Sequence, residues 1–222
     1  MLRLVPHTSF RTAIAENMTL NPLLSTWVLA LVFYLFWRID DERTSWRRSR
    51  LLEIVMACVL AVGLTLLIRP WIGWPAPTRV ESFQPLYPDY LAGLGTDNCF
   101  PSHSTLVYFT VAAGIWPLRR WLSATLAVFV LLTVSWPRIY LGGHYPIDVL
   151  AAILLSVVTL VVVHHFGRRP AISSWFKRVL SMGLIVELAL FLWLFELGEG
   201  FRASSNIVHA LLRLTGFGSG RS

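Results

Sequence analysis

The residues best suited to chemistry stand in the run RIYLGGHYPID, at positions 138–148. His144 and Asp148 are four apart, a spacing that stacks two side chains on one helical face. A carboxylate that holds one imidazole nitrogen leaves the other free to attack or to accept a proton. Arg138, across a Gly-Gly turn, offers the planar donors that suit a phosphate. Pro146 fits the first turn of a helix, so this run opens one. A second run, NCFPSHS at 98–104, also reads as a helix start. Free N–H groups and the helix dipole make such a start an anion site, and Ser102, His103 and Ser104 sit where the anion would dock. A third run, RPWIGWPAP at 69–77, supplies Arg69, which either carries its charge to an interface or binds phosphate. Together these runs hold two histidines, a carboxylate, two arginines and a helix N-terminus. That set suits capture of a phosphate and attack on it without a metal.

The elements that must position these groups are apolar. Of 222 residues, 55% are hydrophobic and only 14% are charged, and the mean hydropathy is +0.62. A soluble domain carries about 25% charged residues. The composition excludes disorder and argues against a water-soluble globule. Six apolar blocks appear, at about 22–37, 51–68, 102–118, 121–136, 147–166 and 179–197. Each has roughly 16–20 residues, at the short end of the spanning range, and a span in lipid must satisfy its own backbone as a helix. The expected fold is therefore all-α: one membrane domain over 1–222, with six transmembrane helices in a bundle. The first block does not read as a cleaved signal, because Arg38 and an arginine-rich loop follow it instead of a small-residue site.

Charge sets the orientation. The net charge is +7, and eleven of the 19 Lys and Arg lie in three short segments: Arg38 to Arg50, Arg119 with Arg120, and Arg168 to Arg178. Cationic segments stay in the cytoplasm, so all three polar runs face the other side. The arginines are read as topology signals, and no nucleic-acid partner is expected. The connection 69–101 is the longest and is rich in Pro, Gly and aromatics; loops of this length are usually functional. A short amphipathic helix is expected at 204–214, where Ile207, Leu211 and Leu214 share a face.

Other polar groups have plainer readings. Cys58 and Cys99 differ in expected depth and form no metal-binding spacing, so neither a disulfide nor a metal is expected. Adjacent His164 and His165 point to different helix faces and read as interfacial. Glu187, in the sixth block, reads as a structural acid, and the ten tryptophans as an aromatic belt. His7 and His209 have no evident partners.

The run RIYLGGHYPIDVL resembles the third motif of the type 2 phosphatidic-acid phosphatase superfamily of membrane lipid phosphatases. That motif reads Ser-Arg-x5-His-x3-Asp; Arg138, His144 and Asp148 keep its spacing, and Pro137 stands in place of the Ser. The first motif, Lys-x6-Arg-Pro, aligns with Arg69 at the Lys and Ala76 at the Arg, before Pro77; Arg79 is a candidate substitute. The second, Pro-Ser-Gly-His, aligns with 101–104, putting His103 at the Gly and Ser104 at the His. The resemblance covers about 69–148. It implies a phosphohistidine mechanism without metal or cofactor. His144 attacks phosphorus, Asp148 orients it and Arg138 binds the phosphoryl oxygens. A second histidine, for which His103 is the candidate, protonates the leaving group. The phosphate-binding set is then Arg69, Arg138, Ser102 and Ser104. The expected partners are a phosphorylated lipid substrate and membrane lipids, in a bacterial inner membrane with the site facing the periplasm. Two alternatives remain: a lipid phosphotransferase with a hydroxyl acceptor, and a catalytically impaired lipid-binding protein on the same fold.

Overall fold

A computed structural model describes residues 9–20, 26–40, 42–83 and 98–198. The expected tail helix at 204–214, His7, His209 and part of the long connection lie outside these residues. The described chain is all-helical, with no strand among the described residues. The helices are α1 (Ser9–Leu20), α2 (Trp27–Arg38), α3 (Thr44–Ile72), α4 (His103–Gly114), α5 (Arg120–Tyr140), α6 (Pro146–Gly167), α7 (Pro170–Leu180) and α8 (Leu184–Gly198).

Among the described residues, three helices, α3, α5 and α6, are long and apolar enough to cross a membrane. A fourth crossing results if α7 and α8, bent by 94° at a short break, count as one span. The sequence predicts a continuous helix at 179–197, but the chain turns at 181–183, where Gly183 takes φ +52, a conformation that glycine adopts without strain. α2 and α4 have twelve residues each, about 18 Å of helix and less than a hydrocarbon core. α1 and α7 were not foreseen as helices. α3 runs past the expected 51–68 at both ends, from Thr44 to Ile72, and is capped by Gly73.

The bundle is built around α4, whose buried residues occupy every side of the helix. A helix apolar all round belongs in the interior. Val107, Tyr108, Val111, Ala112 and Ile115 pack with Leu51, Ile54 and Cys58 of α3, Phe33 and Trp37 of α2, Val130 and Val134 of α5, and Leu190 and Leu194 of α8. The Tyr108 hydroxyl donates to the Leu197 carbonyl at 3.1 Å.

α6 is inverted relative to a helix of a soluble protein. Its inward face carries Asp148, Ala152, Ser156 and Thr159, all buried, while Leu150, Leu154 and Val161 are exposed. Without a hydrophobic force between helices in lipid, association depends on close packing of small residues and on interhelical hydrogen bonds. Ser156 Oγ supplies one, donating 2.9 Å to the Leu106 carbonyl of α4. The apolar outward face suits lipid.

At one end, α3 and α6 are tied by ionisable groups. Glu53 accepts from Arg50 at 2.7 Å and meets His164 Nδ1 at 3.1 Å. His164 therefore has a definite partner. Glu187 is exposed near the start of α8. Close by, Gly114 lets α4 pass between its neighbours: a Cβ there would stand 2.5 Å from Ile54 Cγ1 and 3.2 Å from Leu160 Cδ2. Gly114→Ala is expected to destabilise the protein by about 1–3 kcal/mol through overpacking. The midpoint of thermal unfolding in detergent reads this out, and Ile54→Ala should lower it less in the Gly114→Ala chain than in the wild type. An unchanged midpoint in Gly114→Ala would show that the contact is not tight.

Candidate active site

Four helix ends meet opposite the Glu53 tie. Arg69 and Glu53 are sixteen residues apart on α3, and so are Asp148 and His164 on α6. At 1.5 Å per residue each interval is about 24 Å, most of a hydrocarbon core. Arg69 lies near the end of α3, His103 begins α4, Arg138 lies near the end of α5, and His144 precedes α6. His103 is close enough to Arg69, Arg138 and His144 for each to act electrostatically on it. The structure thus brings together the ionisable groups of all three runs.

The start of α6 fixes Asp148. The carboxylate is fully buried and sits at the third position of the helix. Its Oδ2 accepts the backbone N–H of Tyr145 at 2.8 Å, closing a capping box. Its Oδ1 accepts the Trp74 indole N–H at 3.1 Å. Its backbone carbonyl accepts the Ser102 N–H at 3.2 Å, which seats the start of α4 on the start of α6.

His144 lies 3.6 Å from Asp148 through Nδ1, longer than a hydrogen bond. The same nitrogen lies 2.9 Å from the Cys99 carbonyl. A carbonyl only accepts, so Nδ1 carries the proton and the Nε2 lone pair is left for chemistry. The backbone N–H groups of Gly143 and His144 both donate to the Arg138 carbonyl, at 2.8 and 3.2 Å, so the glycine turn folds His144 back toward Arg138.

Arg138 follows a π-helical turn at Leu131–Ser135, and one of its guanidinium nitrogens donates to Val134 O at 2.9 Å. Pro137 lacks the N–H that would continue an α-helical ladder. Arg69 is half-buried, and its Nε has no hydrogen-bond partner among the described residues. A buried guanidinium donor left open is a natural place for an anion.

Ser102 and Ser104 differ. Ser102 is buried, and its hydroxyl donates to Thr105 at 3.1 Å, which in turn meets Ser135 at 3.0 Å. That proton points into the helix contact. Ser104 is half-buried on the first turn of α4. Ala76 is buried, and the 3₁₀ turn Pro77–Arg79 is held against the glycine loop by Thr78 N–H donating to Gly142 O at 3.2 Å. Arg79 is exposed on that turn. Beside the site, Trp74, Pro75, Val80, Tyr145 and Ile147 line a 380 Å³ apolar groove.

Sequence reasoning assigned no role to Trp74 or Cys99. Trp74 reads as one more belt tryptophan, and Cys99 acts through its main-chain carbonyl, which no side-chain pattern reveals. Cys99, His144 and Asp148 present ligand atoms within 4.8 Å of one another, enough to hold a metal. Their hydrogen bonds account for the arrangement without one. Burial first, and then the Asp148 carboxylate, push the Cys99 thiol up to about 12, so with no metal bound it stays protonated. Both cysteines are free and buried. A maleimide or disulfide reagent at pH 8 is therefore expected to label neither in the folded protein and both after denaturation. Rapid labelling of Cys99 in the folded state would contradict this geometry.

Comparison with known proteins places these observations. A family model described as the PAP2 superfamily matches residues 50–171, which contain all the site residues named above. Among curated proteins, the chain is 25% identical over 156 residues to the putative undecaprenyl-diphosphatase YbjG of Escherichia coli (strain K12), covering 68% of this chain and 73% of that protein. It is 36% identical over 94 residues to the bacitracin transport permease protein BcrC of Bacillus licheniformis, covering 41% of this chain and 43% of that one. No solved structure matches. With more than half of its length matched and the motif spacing intact from Arg138 to Asp148, the chain belongs to the PAP2 superfamily.

Proposed function

We propose that this protein is a metal-independent lipid phosphatase that removes phosphate from a lipid mono- or diphosphate at the outer face of a bacterial inner membrane. The observation that carries the reading is the meeting of Arg69, His103, Arg138 and His144 from four helix ends. Family membership and the diphosphatase named among the relatives support the reaction class. That relative is named for undecaprenyl diphosphate, and a prenyl diphosphate is accordingly the first substrate to test here.

The chemistry follows from the groups present. Arg69 and Arg138 hold the phosphoryl oxygens, and the first turn of α4, with Ser104, adds donors. His144 Nε2 forms a bond to phosphorus as the bond to the lipid-side oxygen breaks. His103, protonated once the bound phosphate offsets the two arginines, gives that oxygen its proton. Water then attacks phosphorus, His103 takes the water's proton, and the N–P bond breaks to return free His144 and phosphate. The apolar groove beside Tyr145 takes the first carbons of the lipid tail.

The alternation of ends supports six crossings in one membrane domain. Site residues lie at the end of α3, the start of α4, the end of α5 and the start of α6, and the arginine clusters lie at the opposite ends. α2 and the α7–α8 pair supply the remaining two. Cationic ends favour the cytoplasm, which puts the site outside.

Phosphate release from undecaprenyl diphosphate, shorter prenyl diphosphates and phosphatidate, measured in detergent with EDTA, tests this. The wild type should turn over, and His144→Ala should lose at least about 10³-fold. Equal rates in both would remove His144 from the mechanism. His103→Ala is expected to cost about 10²–10⁴-fold. The loss should be larger for phosphatidate than for a diphosphate, because an alkoxide leaving group needs its proton more. An equal loss on both substrates would argue against His103 as the acid.

A further inference from the structure

The reading above rests on His144 aiming one nitrogen at phosphorus, yet the residue expected to aim it makes no hydrogen bond to it. Asp148 is 3.6 Å away, with both oxygens engaged by the Trp74 indole and the Tyr145 amide. The contact that fixes the imidazole is the Cys99 carbonyl. Cys99 in turn hangs on Trp74: its N–H donates to the Trp74 carbonyl at 2.9 Å and its S–H to the same oxygen at 3.3 Å. The Trp74 ring also packs on Phe100, with centroids 4.6 Å apart. One residue therefore holds both neighbours of the histidine, Asp148 through its indole and Cys99 through its carbonyl.

We propose that Trp74 is a positioning residue for the phosphoryl transfer, acting on His144 along two arms. The Cys99 arm sets the plane and tautomer of the ring. The Asp148 arm fixes the carboxylate that faces the imidazolium as positive charge develops during attack. Neither arm touches the reacting phosphoryl group, although the Trp74 ring also lines the groove proposed for the lipid tail. The pairing spans the sequence from 74 to 148, so it orders the loop after α3, the lead-in to α4 and the start of α6 as one unit.

The arms can be separated. Trp74→Phe keeps a ring on Phe100 and the main-chain carbonyl, and removes the indole N–H. It should lower kcat about 10- to 100-fold, the size typical of losing an outer partner of a reacting group, with KM changed less than about twofold. In an Asp148→Ala background, which has no acceptor for the indole N–H, the same change should cost less than about threefold. Full additivity of the two substitutions, or an unchanged kcat in Trp74→Phe, overturns the role. Should Trp74→Phe fail to fold, benzothienylalanine at position 74 keeps the bicyclic shape without the N–H and must give the same kcat loss. These outcomes are distinct from failure of the phosphatase reading. Wild-type turnover that His144→Ala abolishes, with Trp74→Phe unaffected, defeats only the positioning role. A wild type inactive on every lipid phosphate defeats both.

Discussion

A carboxylate with no exposed surface must be fully hydrogen-bonded or it unfolds its surroundings. Asp148 meets that constraint with an indole from the loop after α3 and an amide from its own helix cap. Its backbone carbonyl receives the first residue of the α4 start. Three stretches far apart in sequence are thus anchored to one residue. The two helices they join, α4 and α6, are further tied by the Ser156 hydroxyl, which donates to the Leu106 carbonyl. The site is a consequence of that seam: wherever Asp148 is satisfied, the starts of α4 and α6 lie side by side.

The electrostatics follow the same economy. Two arginines approach two histidines at one end of the bundle, and a third cationic group, Arg50, is matched by Glu53 at the other. The paired end is neutralised within the protein. The site end keeps an open Arg69 Nε donor for an arriving anion. A bundle of this kind is locked at one face and receptive at the opposite one.

What the sequence reveals here is local. Arg138, His144 and Asp148 are legible because a glycine turn and a proline-opened helix fix their spacing within eleven residues. The apolar blocks are legible because α3, α5 and α6 are continuous in hydropathy. The parts that escape depend on distant pairing. Trp74 meets Asp148 across 74 positions, Glu53 meets His164 across 111, and neither leaves a trace in its own neighbourhood. α1 is amphipathic only weakly and packs on the end of α5, so its periodicity gives no boundary. The break before α8 turns on a single glycine within a mostly apolar stretch, a signal too small to outweigh the fifteen hydrophobic residues of 179–197.

The π turn at Leu131–Ser135 carries a consequence for how relatives of this chain are compared. Such a turn houses one residue more than the α-helical rise requires, and the regular helix resumes on both sides with its faces intact. A homologue lacking one residue in this window can close the turn to ordinary α geometry and still deliver its arginine to the same point in space. A gap placed there in an alignment is geometrically neutral. The same gap in the ordinary α-helical turns before the π turn would rotate the arginine away from its histidines.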